Sequence, residues 1–462
     1  MKKLTFLAFS LVCLMLAGLL PSCASDPNPI DFIRTDNYSK DAKTYIHLSL
    51  NPSATRAADD AISKVDLYVF DTDGKLENVV ADISYKQNLI IDLGVTTGKK
   101  TVYAITANTI FPKDKSNTEL NGMTLDNFKT KSFESLVENL NNEDGLVMAG
   151  VGEIESLSES NSPLNIPSTN SLSITLERLL AKVEVTGTIS SVNDYGFAKI
   201  DDSSFKVCQI NKKMQLVPAA VSTADLEDKN EKNGIYDNYE QHGSDYVQIS
   251  SSATQPQYMS ENLVENPTSG NTTFLSVKVR FTPSEVLYRY GTGFGRASYS
   301  ATGSGTSVVN TGQTFFAIGI YNDKDVLIDF VKKTNNDKEI LCFRTEQACE
   351  DFLNYGSGIG DPKPAALPDG YSYKPIEYTN GYAYYRVNIS DVIDDVKYYR
   401  VLRNAYYKLR IGKVTSLGYT SEANLFPNNP DSNLEKEETL SIFSGVTFDL
   451  ADWDEYSEDV DL

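Results

Sequence analysis

From residue 44 onward the apolar residues of this chain recur at every second position in short runs, and that spacing restricts what it can fold into more than any other feature. Thr44-Tyr45-Ile46-His47-Leu48-Ser49-Leu50 alternates, and residues 64–70 set Val65, Leu67 and Val69 on one side. A period of two marks a half-buried strand, because successive side chains leave opposite faces of the backbone. Related runs at 89–93, 101–107, 205–210, 276–281, 314–321, 382–389 and 406–411 predict further strands. Val and Thr are frequent in them and the chain holds 27 Tyr and 20 Phe, the residue types that fit a pleated surface. The predicted class is mainly β. Residues 120–142, with Leu125, Phe128, Phe133, Leu136 and Leu140 among charged side chains, are the best helical stretch of the first half.

The run at 171–186 is too long for one ordinary strand and is where a domain boundary is expected. At about 100 to 200 residues per domain, 462 residues allow two or three domains. No repeat of fixed period is visible. Strands separated by long polar loops fit two β-sandwich domains, the second enlarged by insertions.

Charge and composition exclude several functions. With 42 Lys and Arg against 63 Asp and Glu the formal charge is −21, and no basic patch interrupts it, so no nucleic acid is expected as a partner. The two histidines, His47 and His242, are too few for a His-cluster metal site and leave little choice of general base. Carboxylates are so numerous that no acid–base pair stands out. Gly291-Thr292-Gly293-Phe294-Gly295 looks like a phosphate cradle, but the Ser/Gly/Thr-rich residues after it cannot form the required helix, so a flexible surface loop is expected. Asp71-x-Asp73-Gly74 and Asp114-x-Ser116-x-Thr118 lack the ligand count of a Ca²⁺ loop and read as tight turns. Six tyrosines, Tyr371, Tyr373, Tyr378, Tyr382, Tyr384 and Tyr385, form either a sugar-binding platform or ordinary strand packing. The chain is expected to be no enzyme and to need no metal or cofactor.

The N-terminus, Met1-Lys2-Lys3 followed by an apolar run to Leu20, reads as a secretory signal over residues 1–22. Leu20-Pro21-Ser22-Cys23 resembles a bacterial lipobox, in which Cys23 would be acylated; the alternative is an ordinary cleaved signal. Cys342 and Cys349 either pair in an oxidising compartment or, with Cys208, are three buried thiols. Residues 24–43 read as a polar tether.

The two ends are the most informative. The strand at 45–50 joins the rest through 51–60, a loop of small and polar residues around Arg56-Ala57, the kind that proteases cut. Near the C-terminus Val446, Phe448 and Leu450 alternate with Thr447 and Asp449, ahead of Trp453 and an acidic end that reads as solvated tail. Removing the first strand would expose a groove that another chain's strand can fill. Two ordinary terminal strands are the alternative.

Three blocks then carry a family likeness. Ser53-Ala54-Thr55-Arg56-Ala57 ahead of residues 64–71, Leu176-Glu177-Arg178-Leu179-Leu180-Ala181-Lys182-Val183, and Val401-Leu402-Arg403-Asn404-Ala405-Tyr406-Tyr407-Lys408-Leu409 together resemble the Bacteroidetes fimbrillins, or type V pilins, and within them the shaft subunit of the minor (short) fimbriae. Ala405 departs from the pattern, which often has His there. The resemblance implies two transthyretin-like β-sandwich domains, at 57–178 and 179–438, with short helices and a C-terminal donor strand. It implies a lipoprotein precursor held in the outer membrane through Cys23, whose propeptide, 23–56, carries the first strand and is removed when an Arg-specific surface protease cuts between Arg56 and Ala57. A donor strand within 439–462, with Val446, Phe448, Leu450 and Trp453, would then enter the next subunit of a self-polymer that also meets anchor and tip subunits. Cutting leaves 406 residues of formal charge −23, a strongly anionic fibre on the cell surface supporting adhesion and biofilm formation. The alternatives are a tip or anchor subunit, or a glycan-binding surface lipoprotein.

Overall fold

The computed structural model describes residues 32–33, 43–52, 62–134, 140–142, 145–187, 195–217, 239–240, 245–251, 255–263, 267–393, 396–414, 416–426 and 455–461. Its first half is built from β1 (Tyr45–Pro52), β2 (Lys64–Phe70), β3 (Leu76–Ser84), β4 (Asn88–Asp92), β5 (Gly98–Thr106), α1 (Leu125–Thr130), β6 (Ser132–Glu134), β7 (Met148–Leu157) and β8 (Ser171–Arg178). One continuous sheet runs β4-β1-β8-β7-β5-β2-β3. Phe32–Ile33, two residues of the tether expected at 24–43, add a short parallel pairing outside β4.

This sheet folds over on itself. Ile46, Leu48 and Leu50 of β1 and Leu172, Ile174 and Leu176 of β8 face Val65, Leu67 and Val69 of β2 and Val102 and Ala104 of β5 in one buried cluster. The corner lies where β7 leaves β8 after only Met148↔Arg178 and Ala149↔Glu177 and continues along β5. There the backbones almost touch: a Cβ on Gly150 would lie 2.1 Å from the Thr175 carbonyl oxygen, and one on Gly152 would lie 2.7 Å from Leu172 Cδ1.

The other face of β2, β3 and β5 buries Tyr68, Phe70 and Tyr103 against Phe111, Phe128 and Phe133. The helical stretch expected within 120–142 is present but interrupted by a strand. Leu125–Thr130 are helical, capped at Thr124, whose Oγ1 accepts from Asn127 N; the chain then turns directly into β6, and Leu140 is again helical, residues 135–139 lying outside the described residues. Phe128 and Phe133 reach the same cluster from different elements, so their spacing imitates a helical stripe.

Asp66 of β2 is buried, accepting from Asp82 N and from Asn108 Nδ2, both at 2.7 Å. Burial raises its carboxyl above the ordinary value of 3.8, and those bonds with nearby Lys113 offset this only in part. A pKa raised on folding confers stability that is complete below the unfolded value and lost as pH rises through the folded one. Asp66→Asn removes that titration. Wild-type melting temperature minus variant melting temperature should therefore fall as pH rises from below the ordinary carboxylate value to above it; a difference that grows with pH would refute the assignment.

The long run at 171–186 breaks at Leu179. β8 stays in the first sheet and β9 (Leu180–Thr186) enters another, followed by β10 (Phe197–Cys208), β11 (Lys213–Gln215), β12 (Gln257–Ser260), β13 (Phe274–Pro283), β14 (Glu285–Tyr290), β15 (Gly293–Tyr299), β16 (Phe315–Tyr321), β17 (Leu327–Phe330), β18 (Cys342–Phe343), α2 (Glu346–Tyr355), β19 (Ser372–Tyr378), β20 (Tyr382–Asn388), β21 (Tyr406–Lys413) and β22 (Glu455–Asp461). The sheet β12-β9-β21-β22 packs on the sheet containing β10-β13-β20 through Val183, Val185, Val207, Val277, Val279, Leu409 and others. A third sheet, β15-β14-β18-β16-β17 with β19 beside β16, carries α2 on its outer side. The fold is mainly β, as the alternation required.

Three local expectations change. Gly291–Gly295 is no flexible loop: it spans the turn and first residues of the β14–β15 hairpin, with Tyr290 opposite Gly293. Helix α2 was not predicted; its short apolar set, Ala348, Cys349 and Phe352, is too sparse to show as a stripe, although Thr345 caps its start and Gly356 its end. The acidic end, expected as solvated tail, supplies β22, parallel to β21 from Tyr406↔Glu455 to Lys413↔Asp461. Cys208, Cys342 and Cys349 are all buried free thiols, with Cys342 pushed up to about 12 by burial. Asp71 closes a tight turn by accepting from Asp73 N and Lys75 N.

Among the described residues the two halves meet around β6 and β11. β6 pairs with β11 (Met214↔Phe133), and Met214, Leu216, Leu179 and Leu180 join the aromatic cluster around Phe128. Arg178 Nη1 donates to Asn404 Oδ1 at 3.1 Å, while Arg403 donates to the carbonyls of Leu216 and Gln215 and forms a two-pronged ion pair with Glu261. The second and third blocks of the family likeness thus meet in space, and β9 runs parallel to β21 from Lys182↔Tyr406 to Thr186↔Arg410.

Candidate functional site

β1 occupies an unusual position for a strand so near the start of a chain. It lies inside the sheet, antiparallel to β4 from Tyr45↔Asp92 to Ser49↔Asn88 and parallel to β8 from Ser171↔His47 to Leu176↔Pro52. Ile46, Leu48 and Leu50 point into the core with 0%, 1% and 0% of their surface exposed, whereas His47 is exposed. At roughly 1.5 to 3 kcal/mol per fully buried aliphatic side chain, these three contribute on the order of 5 to 9 kcal/mol. β1 therefore does not leave unless another strand takes its place. Vacating it would bare the facing edges of β4 and β8 and an apolar floor, the geometry that accepts a strand by β-augmentation.

A polar clamp closes the N-terminal end of this slot. Thr44 N donates to Asp92 Oδ1 at 2.9 Å, and Leu93 N donates to Thr44 O at 3.1 Å. The Thr44 hydroxyl accepts from Val95 N at 3.2 Å and donates to Val95 O at 3.3 Å. Asn170, fully buried, donates from Nδ2 to Tyr45 O at 3.0 Å, and its backbone carbonyl accepts from His47 N at 2.8 Å. Sequence reasoning missed this clamp, because its members lie in separate stretches of chain and none carries a motif.

Cys23, Arg56, Ala57, Val446, Phe448, Leu450 and Trp453 lie outside the described residues, as does the signal at 1–22. The described chain stops at Pro52, at the end of β1, and resumes at Ile62, so Arg56 falls in the one connection between β1 and β2. Of the six tyrosines considered as a platform, Tyr378 and Tyr385 are buried and donate to the carbonyls of Gly418 and Ser416. Tyr373, Tyr382 and Tyr384 are half-buried, which leaves Tyr371 as the exposed one. Packing is the better account of that set. Among the described residues no group of His, Cys, Asp and Glu is placed to hold a metal ion, and no helix is long and apolar enough to cross a membrane.

Comparison with known proteins places this slot in context. Residues 48–200 match the family described as major fimbrial subunit protein (FimA), and residues 376–459 match the fimbrillin C-terminal family of major fimbrial subunit protein type IV, together just over half of the chain. The chain belongs to the fimbrillin family. This fimbrillin is thus a fimbrial subunit, a component of a cell-surface appendage built by association of subunits. Among solved structures it is similar to a fimbrilin (fimA) from Porphyromonas gingivalis W83, at 13% identity over 85% of this chain and 94% of that one, with a TM-score of 0.40. It is also similar to the tip fimbrial protein Mfa3 of Porphyromonas gingivalis with a C-terminal truncation, at 12% identity over 80% and 94%, with a TM-score of 0.39. Overlaps this loose bear no argument about role, and the family rests on the two sequence matches. No curated protein matches the chain.

Proposed function

We propose that this fimbrillin is a shaft subunit, exported as a lipoprotein precursor acylated at Cys23, cut between Arg56 and Ala57, and polymerised by donor-strand exchange. The observation that supports this most is the placement of β1: an interior strand, rich in buried contacts, whose chain connection onward to β2 runs through the segment that holds Arg56. Once that segment is cut, a strand from another subunit can displace β1 and recover the burial it loses. The segment proposed to replace it is 446–453, with Val446, Phe448, Leu450 and Trp453, which lies outside the described residues. On this reading residues 57–178 and 179–438 form the two domains of the mature subunit, which meets anchor and tip subunits at the fibre ends. The deciding experiment is N-terminal sequencing of sheared fibres, which should begin at Ala57. Arg56→Ala should leave a lipid-tethered, unpolymerised precursor, and normal fibres on cells carrying it would overturn the proposal.

One observation favours a tip-like role instead. β22 completes the edge of the chain's own sheet, as a C-terminal strand serving its own subunit would. Deleting 446–462 separates the readings. A donor should leave a monomer with its melting transition intact and no SDS-resistant ladder, whereas loss of the transition would assign the end of the chain to its own fold.

A further inference from the structure

The clamp around Thr44 limits which strand can replace β1 and in what register. Its groups, Asp92 Oδ1, Leu93 N, the N–H and C=O of Val95, and Asn170, are all bonded to β1 or to the residue just before it. If β1 departs, Asp92 Oδ1 keeps its bond from Gly94 N and Asn170 Nδ2 keeps its bond to Ser158 O, but Leu93 N and the N–H and C=O of buried Val95 lose the partner that Thr44 supplied, which costs more than the bonds contribute when made. An incoming strand must therefore bring a hydroxyl at the Thr44 position, then apolar residues two, four and six places on. Thr44-x-Ile46-x-Leu48-x-Leu50 reads, near the C-terminus, as Ser444-x-Val446-x-Phe448-x-Leu450. A slip of two residues in one direction puts Ser444 where Ile46 sits, and in the other puts Asp452 where Leu50 sits. A slip of one turns every side chain to the wrong face. The acidic end is no substitute, since Ser457 in the clamp would place Asp459 and Asp461 on the apolar floor.

We infer that the clamp is the register pin of the exchange: residues 444–450 of a second copy of this chain, which lie outside the described residues, replace 44–50 one for one and in the same direction, and the Ser444 hydroxyl takes the place of Thr44 between the N–H and C=O of Val95. This rests on the donor-strand reading above and adds to it the pinning residue, the direction and the register.

The test uses full-length chains assembled into fibres. In the precursor Ser49 Oγ lies 2.8 Å from Asn88 Oδ1, so Asp449, which takes the place of Ser49, should come to face Asn88. Chains carrying Asn88→Cys with Asp449→Cys should form a covalent ladder on non-reducing gels after mild oxidation, and chains carrying Asn88→Cys with Thr447→Cys should not. Linkage through Thr447→Cys instead would overturn the register while leaving strand exchange standing. Fibres that form and link through neither pair would overturn the donor reading itself. A measurement that needs no new cysteine follows fibre dissociation in denaturant. Ser444→Ala fibres should dissociate about three to ten times faster than wild type, the effect of losing a buried hydrogen-bond partner, and Ser444→Thr fibres should not. Equal rates for Ser444→Ala and wild type would refute the clamp.

Discussion

Leu48→Asp is expected to destabilise the uncut precursor by about 4 kcal/mol or more, through lost burial and a carboxylate forced onto an apolar floor, and to leave assembled fibres unchanged. Leu48 is 1% exposed and packs in the cluster that joins the two faces of the first sheet. In the precursor that position is filled by β1 itself. On the proposed cutting and exchange, the substituted strand would no longer be part of the subunit. Denaturant melts of precursor and of fibre, made from the same gene, give the comparison. Leu48→Ala, expected to cost about 2 to 5 kcal/mol, serves if the aspartate variant does not accumulate. Fibres weakened to the same degree as the precursor would show that β1 stays in place, and strand exchange at this slot would be wrong.

Gly150→Val should abolish cooperative folding of the first sheet, or cost more than about 4 kcal/mol. The reason is contact. A Cβ at this position would lie 2.1 Å from the Thr175 carbonyl oxygen and 2.6 Å from Ile174 Cγ2, and neither the backbone nor a buried isoleucine can retreat without parting β7 from β8. That separation would also deform β8, which forms one wall of the slot. Val151→Ala next to it, with its side chain 47% exposed, should change stability by less than about 0.5 kcal/mol. Thermal melts of the pair measure the difference, and a Gly150→Val protein melting like wild type would mean the two strands do not approach so closely.

Much of this architecture was legible in advance. Alternation located β1, β2, β4, β13, β16, β20 and β21 within about two residues, because a strand half-buried in a sandwich must put every second side chain into the core, but it did not pick out β3, β7, β14, β15 or β19. The length of the 171–186 run showed that it had to break. Where alternation was absent the reading was incomplete: the helical stretch around Phe128 is interrupted by the strand that carries Phe133, and α2 buries too few residues to show. The Gly291–Gly295 segment was misjudged because glycine content marks a turn without saying whether strands flank it.

The sequence by itself determined the mainly β class, the position of the first strand, the arginine-bearing connection after it, and the matching alternation near the other end. These follow from side-chain type and local spacing alone. Only the tertiary structure decided that β1 runs parallel to β8 inside a sheet, that Arg178 reaches Asn404, and that Asp92, Val95 and Asn170 converge on Thr44. Alternation says which face of a strand is buried, but the backbone N–H and C=O groups that choose its neighbours are the same at nearly every residue. Partner and direction are therefore settled by which arrangement buries all the apolar faces together, and that is a property of the whole chain.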